Sequence, residues 1–369
     1  MVVLARVPVQ VVDDAKGRGT MRRWSKVVAA ATLLGGGSLG AQEVQRIAGA
    51  DVAIYNIAGR VEVRGGTAAD VVVRVTRGGA GGGELTVETG EIRGRSTLRI
   101  VYPDDEIVYP ALGRGSNTTF AVRADGTFGD GSGDDGDRVR VRGSGAGLEA
   151  WADLVIEVPR GITASVYLAV GEMTAQGVDA NLRLDTGNGS ITATDISGSL
   201  DIDTGSGQVN ARGVEGSLSI DTGSGSVRVA DVTGDMVELD TGSGGVTATG
   251  IEADNLNVDT GSGGVELLRV TVPNVVVDTG SGSVEIELLA DVDRLEIDTG
   301  SGSVTVRAPA DLGATVEIDT GSGGIDLDFP LEVRSVRRDR VQGRLGDGAG
   351  EIRIDTGSGS IRIARGGGL

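Results

Sequence analysis

The chain has 369 residues, of which 64 are glycine and about 2% are aromatic; its 39% hydrophobic content is mostly Val, Ile, Leu and Ala. That composition excludes an ordinary core built on aromatic anchors, and it is too apolar for a disordered chain. The net charge is −19, cysteine and histidine are absent, and lysine occurs only at Lys16 and Lys26, which excludes histidine acid–base catalysis, thiol nucleophiles, disulfides and the usual zinc ligands.

Met21 opens a secretory signal: Arg22, Arg23 and Lys26 form a basic start, Val27 to Leu34 an apolar stretch, and small residues lead to a cut near Ala41. Residues 1–20 read as an upstream extension and 21–41 as the signal peptide. No cysteine follows to carry a lipid anchor, and no later stretch reads as a transmembrane helix. Without residues 1–41 the chain holds 28 basic and 51 acidic residues, a net of −23. Such a surface repels nucleic acid and favours cations.

Residues 42–160 predict an irregular N-terminal section. Ala53 to Val63 looks like a degenerate repeat, Val71–Val75 and Leu98–Tyr102 read as strands, and Leu154–Pro159 leads into regular sequence. Between them, residues 112–148, rich in Gly, Asp, Ser and Arg, read as a long surface loop. Within that loop Asp130, Asp134, Asp135 and Asp137 resemble a calcium loop, although the glycine falls one place late for an EF-hand and no glutamate stands at the twelfth position.

Residues 161–369 are governed by a repeat. DTGSG or DTGNG begins at Asp185, Asp203, Asp221, Asp240, Asp259, Asp278, Asp298, Asp319 and Asp355. The spacing is about 18–21 residues, except for a final gap wide enough for two turns, or for one turn plus the insertion 331–350. A degenerate copy aligns Tyr167 with Asp185. Each unit alternates apolar and polar residues on both sides of the motif, as in Leu200/Ile202 and Val209/Ala211. One such unit cannot bury its own apolar stripe; stacked units can. The expectation is an all-β parallel solenoid, right-handed by the usual crossover rule, with strands ~4.8 Å apart.

In this reading the DTGSG glycines allow φ > 0 at a tight corner, Asp caps the turn's N–H groups, and Thr and Ser form hydroxyl ladders. An aspartic protease is rejected, because nine copies at coil spacing are not two lobes sharing a proton. A column of aspartates ~4.8 Å apart repels by roughly 1 kcal/mol per neighbouring pair even in water. Hydrogen bonds, raised pKa values or bound calcium would relieve it. An ice- or glycan-binding Thr/Ser face and a β-helix polysaccharide enzyme are the other readings. The insertion's Arg334, Arg337, Arg338, Arg340 and Arg344 read as a solvated loop or as a contact for an acidic surface. The chain finishes close to its last corner, and an uncovered end would permit end-to-end self-association.

The DTGSGSV-type repeats, the opening Asn56-Ile57-Ala58-Gly59-Arg60-Val61-Glu62-Val63 and the strand ending in Val158-Pro159 resemble the bacterial adhesin-like family called domain of unknown function 4097, over roughly residues 50–369. That resemblance implies a β-solenoid at the cell envelope with no catalytic residues to carry over. The expected function is a secreted, periplasmic or cell-surface scaffold or adhesin-like binding protein, non-catalytic and without cofactor, calcium apart. Its partner would be an envelope protein or polysaccharide. The alternatives are a carbohydrate-active β-helix enzyme and a self-assembling envelope filament.

Overall fold

The structure, a computed structural model, describes residues 42–129 and 136–366. The proposed extension and signal peptide, with Asp130, Asp134 and Asp135, lie outside the described residues. The fold is all-β: among the described residues the only helical turns are the short 3-10 segments Gly82–Glu84 and Pro110–Leu112.

The N-terminal section supplies β1 (Glu43–Ile47), β2 (Asp51–Gly65), β3 (Val71–Gly78), β4 (Thr86–Ile92) and β5 (Arg95–Val101). A separate four-stranded sheet follows, made of β6 (Glu106–Val108), β7 (Asn117–Val122), β8 (Asp137–Arg142) and β9 (Leu148–Glu149). Then come β10 (Trp151–Val158), β11 (Thr163–Asp179), β12 (Asn181–Asn188), β13 (Ile191–Ser197), β14 (Leu200–Ser206), β15 (Val209–Glu215) and β16 (Leu218–Ser224). The series continues with β17 (Val227–Thr241), β18 (Val246–Thr260), β19 (Val265–Thr271), β20 (Asn274–Thr279), β21 (Val284–Leu288), β22 (Arg294–Thr299) and β23 (Val304–Ala308). It closes with β24 (Ala314–Thr320), β25 (Ile325–Leu327), β26 (Leu331–Val336), β27 (Arg340–Leu345), β28 (Gly350–Thr356) and β29 (Ile361–Arg365).

Equivalent strands of successive repeats pair in parallel and in register. Asp185 stands opposite Asp203, Asp203 opposite Asp221 and Asp240 opposite Asp259. Residues before each corner form one ladder, through β12, β14, β16, β20 and β22; residues after it form a second, through β13, β15, β19, β21 and β23. The long strands β17 and β18 belong to both. Tyr167 stands opposite Asp185, as its alignment predicts, and Tyr55 stands opposite Tyr167. Their rings stack 4.6 Å apart.

The alternation in sequence becomes an alternation of burial. Leu200, Ile202, Val209 and Ala211 face inward, as do their counterparts in every regular repeat. Each column therefore removes apolar surface from water on both neighbours at about 25 cal/mol per Å². One file, Leu184–Ile202–Ile220–Leu239–Val258–Val277–Ile297, runs unbroken through the ladder. Aliphatic files need no aromatic filler, which accounts for the composition.

Residues 112–148 depart from the loop expectation. They carry β7, β8 and the start of β9, and a branched apolar alternation in Asp137–Arg142 buries Val139 and Val141. Phe128 lies edge-on to Tyr55, 5.7 Å between centroids. This segment therefore covers the aromatic start of the aspartate file. Asp137, the described member of the calcium candidates, opens β8 opposite Val122.

The C-terminal order also departs from chain order. β22 pairs with β28, and β28 pairs with β24 on its other side. The last repeat in sequence therefore lies between the two before it. In the second ladder β29 lies between β23 and β25. The chain's final strands are thus interior, not an open end. The insertion forms the hairpin β26–β27, and β27 runs antiparallel along the outer edge of β24. At the other end β4 runs antiparallel to β5, and β1 and β3 lie antiparallel beyond β10. Antiparallel strands unlike the repeat end both ladders at the N-terminal side and the first ladder at the C-terminal side, which blunts those edges against a further copy, whereas β25, last in the second ladder, pairs only with β29. Arg340 bonds Glu317 and lies 3.6 Å from Asp319. The acidic surface it meets is the end of this chain's own file.

Candidate functional site: the aspartate file and a corner groove

The strand parity decides what each letter of DTGSG does. In Leu200-Asp201-Ile202-Asp203-Thr204, Leu, Ile and Thr point in, so both aspartates point out. The side-chain bonds at these corners are made by Thr hydroxyls donating to carbonyls, not by Asp accepting from the turn's N–H groups. Thr260 Oγ1 donates to the Gly244 carbonyl of the neighbouring repeat at 3.0 Å, and Thr241, Thr279, Thr299 and Thr356 do the same at 3.0–3.1 Å. All are fully buried, so each bond satisfies a hydroxyl that would otherwise be desolvated for nothing. The glycines also serve a purpose other than the expected one. Of the DTGSG/DTGNG glycines only Gly189 has a left-handed φ. What the others require is room: a Cβ on Gly263 would sit 1.8 Å from the Gly244 carbonyl oxygen, and one on Gly261 would sit 2.5 Å from that of Gly242. Glycine lets adjacent backbones close up.

The outward residues form a file along the first ladder: Asp185, Asp203, Asp221, Asp240, Asp259, Asp278, Asp298, Asp355, Asp319, in spatial order. Arg183 sits 2.7 Å from Asp201 and 3.7 Å from Asp203 at one end, and Arg340 closes the other. Between them like charges face one another. Burial, then Asp221, raise the Asp203 carboxyl; burial, then Asp221 and Asp259, raise Asp240; burial raises Asp319 against the pull of Arg340.

These shifts fix a sign. A carboxyl raised on folding binds its proton more tightly in the folded state, so its contribution to stability is full below the ordinary carboxylate range. It is lost as pH rises through the raised values. The melting midpoint is expected to climb as pH falls through the raised values towards the ordinary carboxylate range, and Asp240→Asn should flatten part of that slope. Below that window Glu157, lowered by its bond to Arg74 against a smaller burial effect, works the other way. A midpoint that only falls on acidification would contradict the account. Solvent screening of these part-exposed groups keeps each contribution small.

The second feature was not foreseen from the sequence. Within β13, β15, β17, β18 and β19 one residue takes a left-handed φ and drops out of the ladder register, turning the chain: Asp195 (φ 55°), Gly213 (66°), Asp231 (56°), Gly250 (70°) and Arg269 (55°). Large and absent side chains alternate because they share space. A Cβ on Gly213 would meet Asp195 Oδ1 at 2.8 Å, and one on Gly250 would meet the Arg269 guanidinium at 2.9 Å and Asp231 Oδ1 at 3.1 Å. The turns and the following residues line a shallow groove of about 540 Å³, with Ser197, Glu215, Thr233, Glu252 and Thr271 along it and Leu289 at one end. Asp231 is held between Arg212 (3.3 Å) and Arg269 (3.6 Å). The legible signal was the recurrence of Gly or a charged residue just before Ile196, Val214, Val232, Ile251 and Val270.

Chemically, both features offer carboxylates and hydroxyls at repeat spacing. The groove carboxylates Asp195, Glu215, Asp231 and Glu252 come one from each successive repeat, so they are strung out along it. Among the described residues no group of three or more Asp and Glu is arranged to hold a metal ion. No helix among them is long and apolar enough to cross a membrane.

Comparison with known proteins agrees with the repeat. No curated protein matches the chain. A crystal structure of a putative cell adhesion protein from Clostridium sporogenes matches with 11% identity over 89% of this chain and 100% of that one, at a TM-score of 0.21. The family model described as Toastrack DUF4097 matches residues 215–364. That span takes in the regular repeats from β16 onward together with the capping hairpin and the interior last repeat, so it is over these repeats that the chain is similar to the Toastrack DUF4097 family.

Proposed function

We propose that this chain is a non-catalytic, adhesin-like binding or scaffold protein of the cell envelope. It would be exported by its signal peptide and would present the corner groove and the aspartate file to a hydroxyl-rich or cationic envelope component. We read its two ladders as walls of a right-handed solenoid with about 18–21 residues per coil. The observation that carries the proposal is the register: equivalent outward side chains recur at every repeat over a backbone locked by buried Thr bonds. Such a surface binds by repetition, many weak contacts adding along a polymer. No cofactor enters this reading.

The alternative, a carbohydrate-active enzyme, needs carboxylates facing one another across a bond. The groove carboxylates succeed one another along an axis instead, and the chemistry left without Lys, His or Cys favours binding. The test is an array of bacterial envelope polysaccharides and envelope proteins exposed to the full chain. Saturable binding without release of reducing ends, weakened by Glu215→Lys and Glu252→Lys, is the expected result. Turnover of a polysaccharide would move the chain to the enzyme class, and no binding to any envelope component would remove the adhesin reading.

A further inference from the structure

The last repeat has an unusual relation to its neighbours. Every strand it touches in the two ladders precedes it in the chain, and it lies between two of them. On one side Glu351–Thr356 pairs with Arg294–Thr299, and on the other Gly350–Thr356 pairs with Ala314–Thr320. Beyond the corner Ile361–Arg365 pairs with Val304–Ala308, and Ile361–Ile363 with Ile325–Leu327. The chain thus skips one rung after β23, builds β24, β25 and the capping hairpin, and returns to fill the rung it left. Before that return, β22 and β24 each present an unpaired edge, as do β23 and β25.

What recognises the returning segment is generic to the repeat. Ile352, Ile354, Ile361 and Ile363 are fully buried. Thr356 Oγ1 donates to the Gly302 carbonyl at 3.0 Å, and Thr320 Oγ1 to the Gly359 carbonyl at 2.8 Å. Backbone bonds from Val304 to Ser360 (2.9 Å) and from Ile361 to Gly324 (2.9 Å) complete it. None of these contacts depends on which copy of the chain supplies the segment. Its only tie to its own molecule is the link 346–349. That link is short, turns at Gly346 (φ 50°) and Gly348 (φ 71°), and crosses Gly313 so closely that a Cβ there would lie 2.0 Å from Asp347 Oδ1.

We propose that residues 350–365 are exchangeable between copies, so that the partner fitted by this slot is the closing repeat of a second copy of this chain. Reciprocal exchange preserves all of these pairings and opens only the turn at 346–349. It closes as a two-fold dimer rather than running on as a fibre. A short hinge under a tight turn is the feature that invites such exchange.

The absence of cysteine from the chain makes the test clean. Ser303 and Ser360 are exposed, with their hydroxyl oxygens 3.2 Å apart across the boundary between the slot and the closing repeat. Full-length Ser303→Cys carrying one tag is mixed with full-length Ser360→Cys carrying another. The mixture is loosened in mild urea at high concentration, returned to buffer and oxidised. A disulfide joining the two tags forms at this site only when one copy's closing repeat occupies the other's slot. Several-fold more of it is expected than with Ser283→Cys, the equivalent exposed serine one repeat earlier, in place of Ser303→Cys. The double variant, oxidised beforehand within one copy, should lose the exchange. Yields equal to the Ser283→Cys control would overturn the proposal. The unaltered chain gives a second reading: a dimer fraction that grows with concentration during the urea step and survives dilution is expected, and a strict monomer throughout would overturn it equally.

Discussion

Gly263→Ala should destabilise the chain by on the order of 3 kcal/mol or more, although it adds a single methyl group at the surface of a repeat. The added carbon would have to occupy a position 1.8 Å from the Gly244 carbonyl oxygen. That atom is backbone and is hydrogen-bonded to Thr260 Oγ1. It has nowhere to retreat, so two repeats must part, and the Thr260 bond and nearby apolar pairs loosen with them. Ser262→Ala, one residue earlier and exposed, removes more polar chemistry yet should cost no more than about 0.5 kcal/mol. Urea denaturation of the two variants side by side makes the comparison. Similar midpoints would show that the glycines are not there for close approach.

Ile354→Ala should cost about 2–5 kcal/mol, and its effect should spread in one direction. Ile354 is buried between Ile297 and Ile318. β24 reaches the rest of its ladder only through β28, so weakening β28 weakens the attachment of β24, β25 and the hairpin β26–β27 together. Amide hydrogen exchange should accelerate across 314–345 as well as 350–365, and stay unchanged across 181–260, where nearest-neighbour coupling has already decayed. An increase confined to β28 would mean that the cap holds on without the interior repeat.

Much of this architecture could be read from residues alone. The period of the DTGSG motif, with aliphatic alternation on both sides, determines parallel in-register strands and continuous inner files, because a unit that cannot bury its own stripe has only its neighbours to bury it on. The aspartate file and its continuation to Tyr167 follow from the same alignment, while Tyr55 joined the file only in the structure. The division of labour inside the motif was less legible. Sequence shows that Asp, Thr and Gly recur, but it does not show which strand parity faces inward. That parity put Thr at the buried bond and Asp on the outer face. It also made glycine a matter of backbone approach between repeats rather than of φ.

The corner groove was within reach as a recurring Gly or charged residue before an apolar one, but the left-handed turn that gives it meaning is a backbone property. The order of the last three repeats was out of reach altogether. Asp298, Asp319 and Asp355 carry the same motif, and each would pair equally well with any neighbour in the file. Local chemistry that is the same at every rung cannot specify which rung a segment occupies. Only the hairpin 331–345, by taking the outer edge of β24, leaves the inner rung as the place where Ile352, Ile354, Ile361 and Ile363 can all be buried.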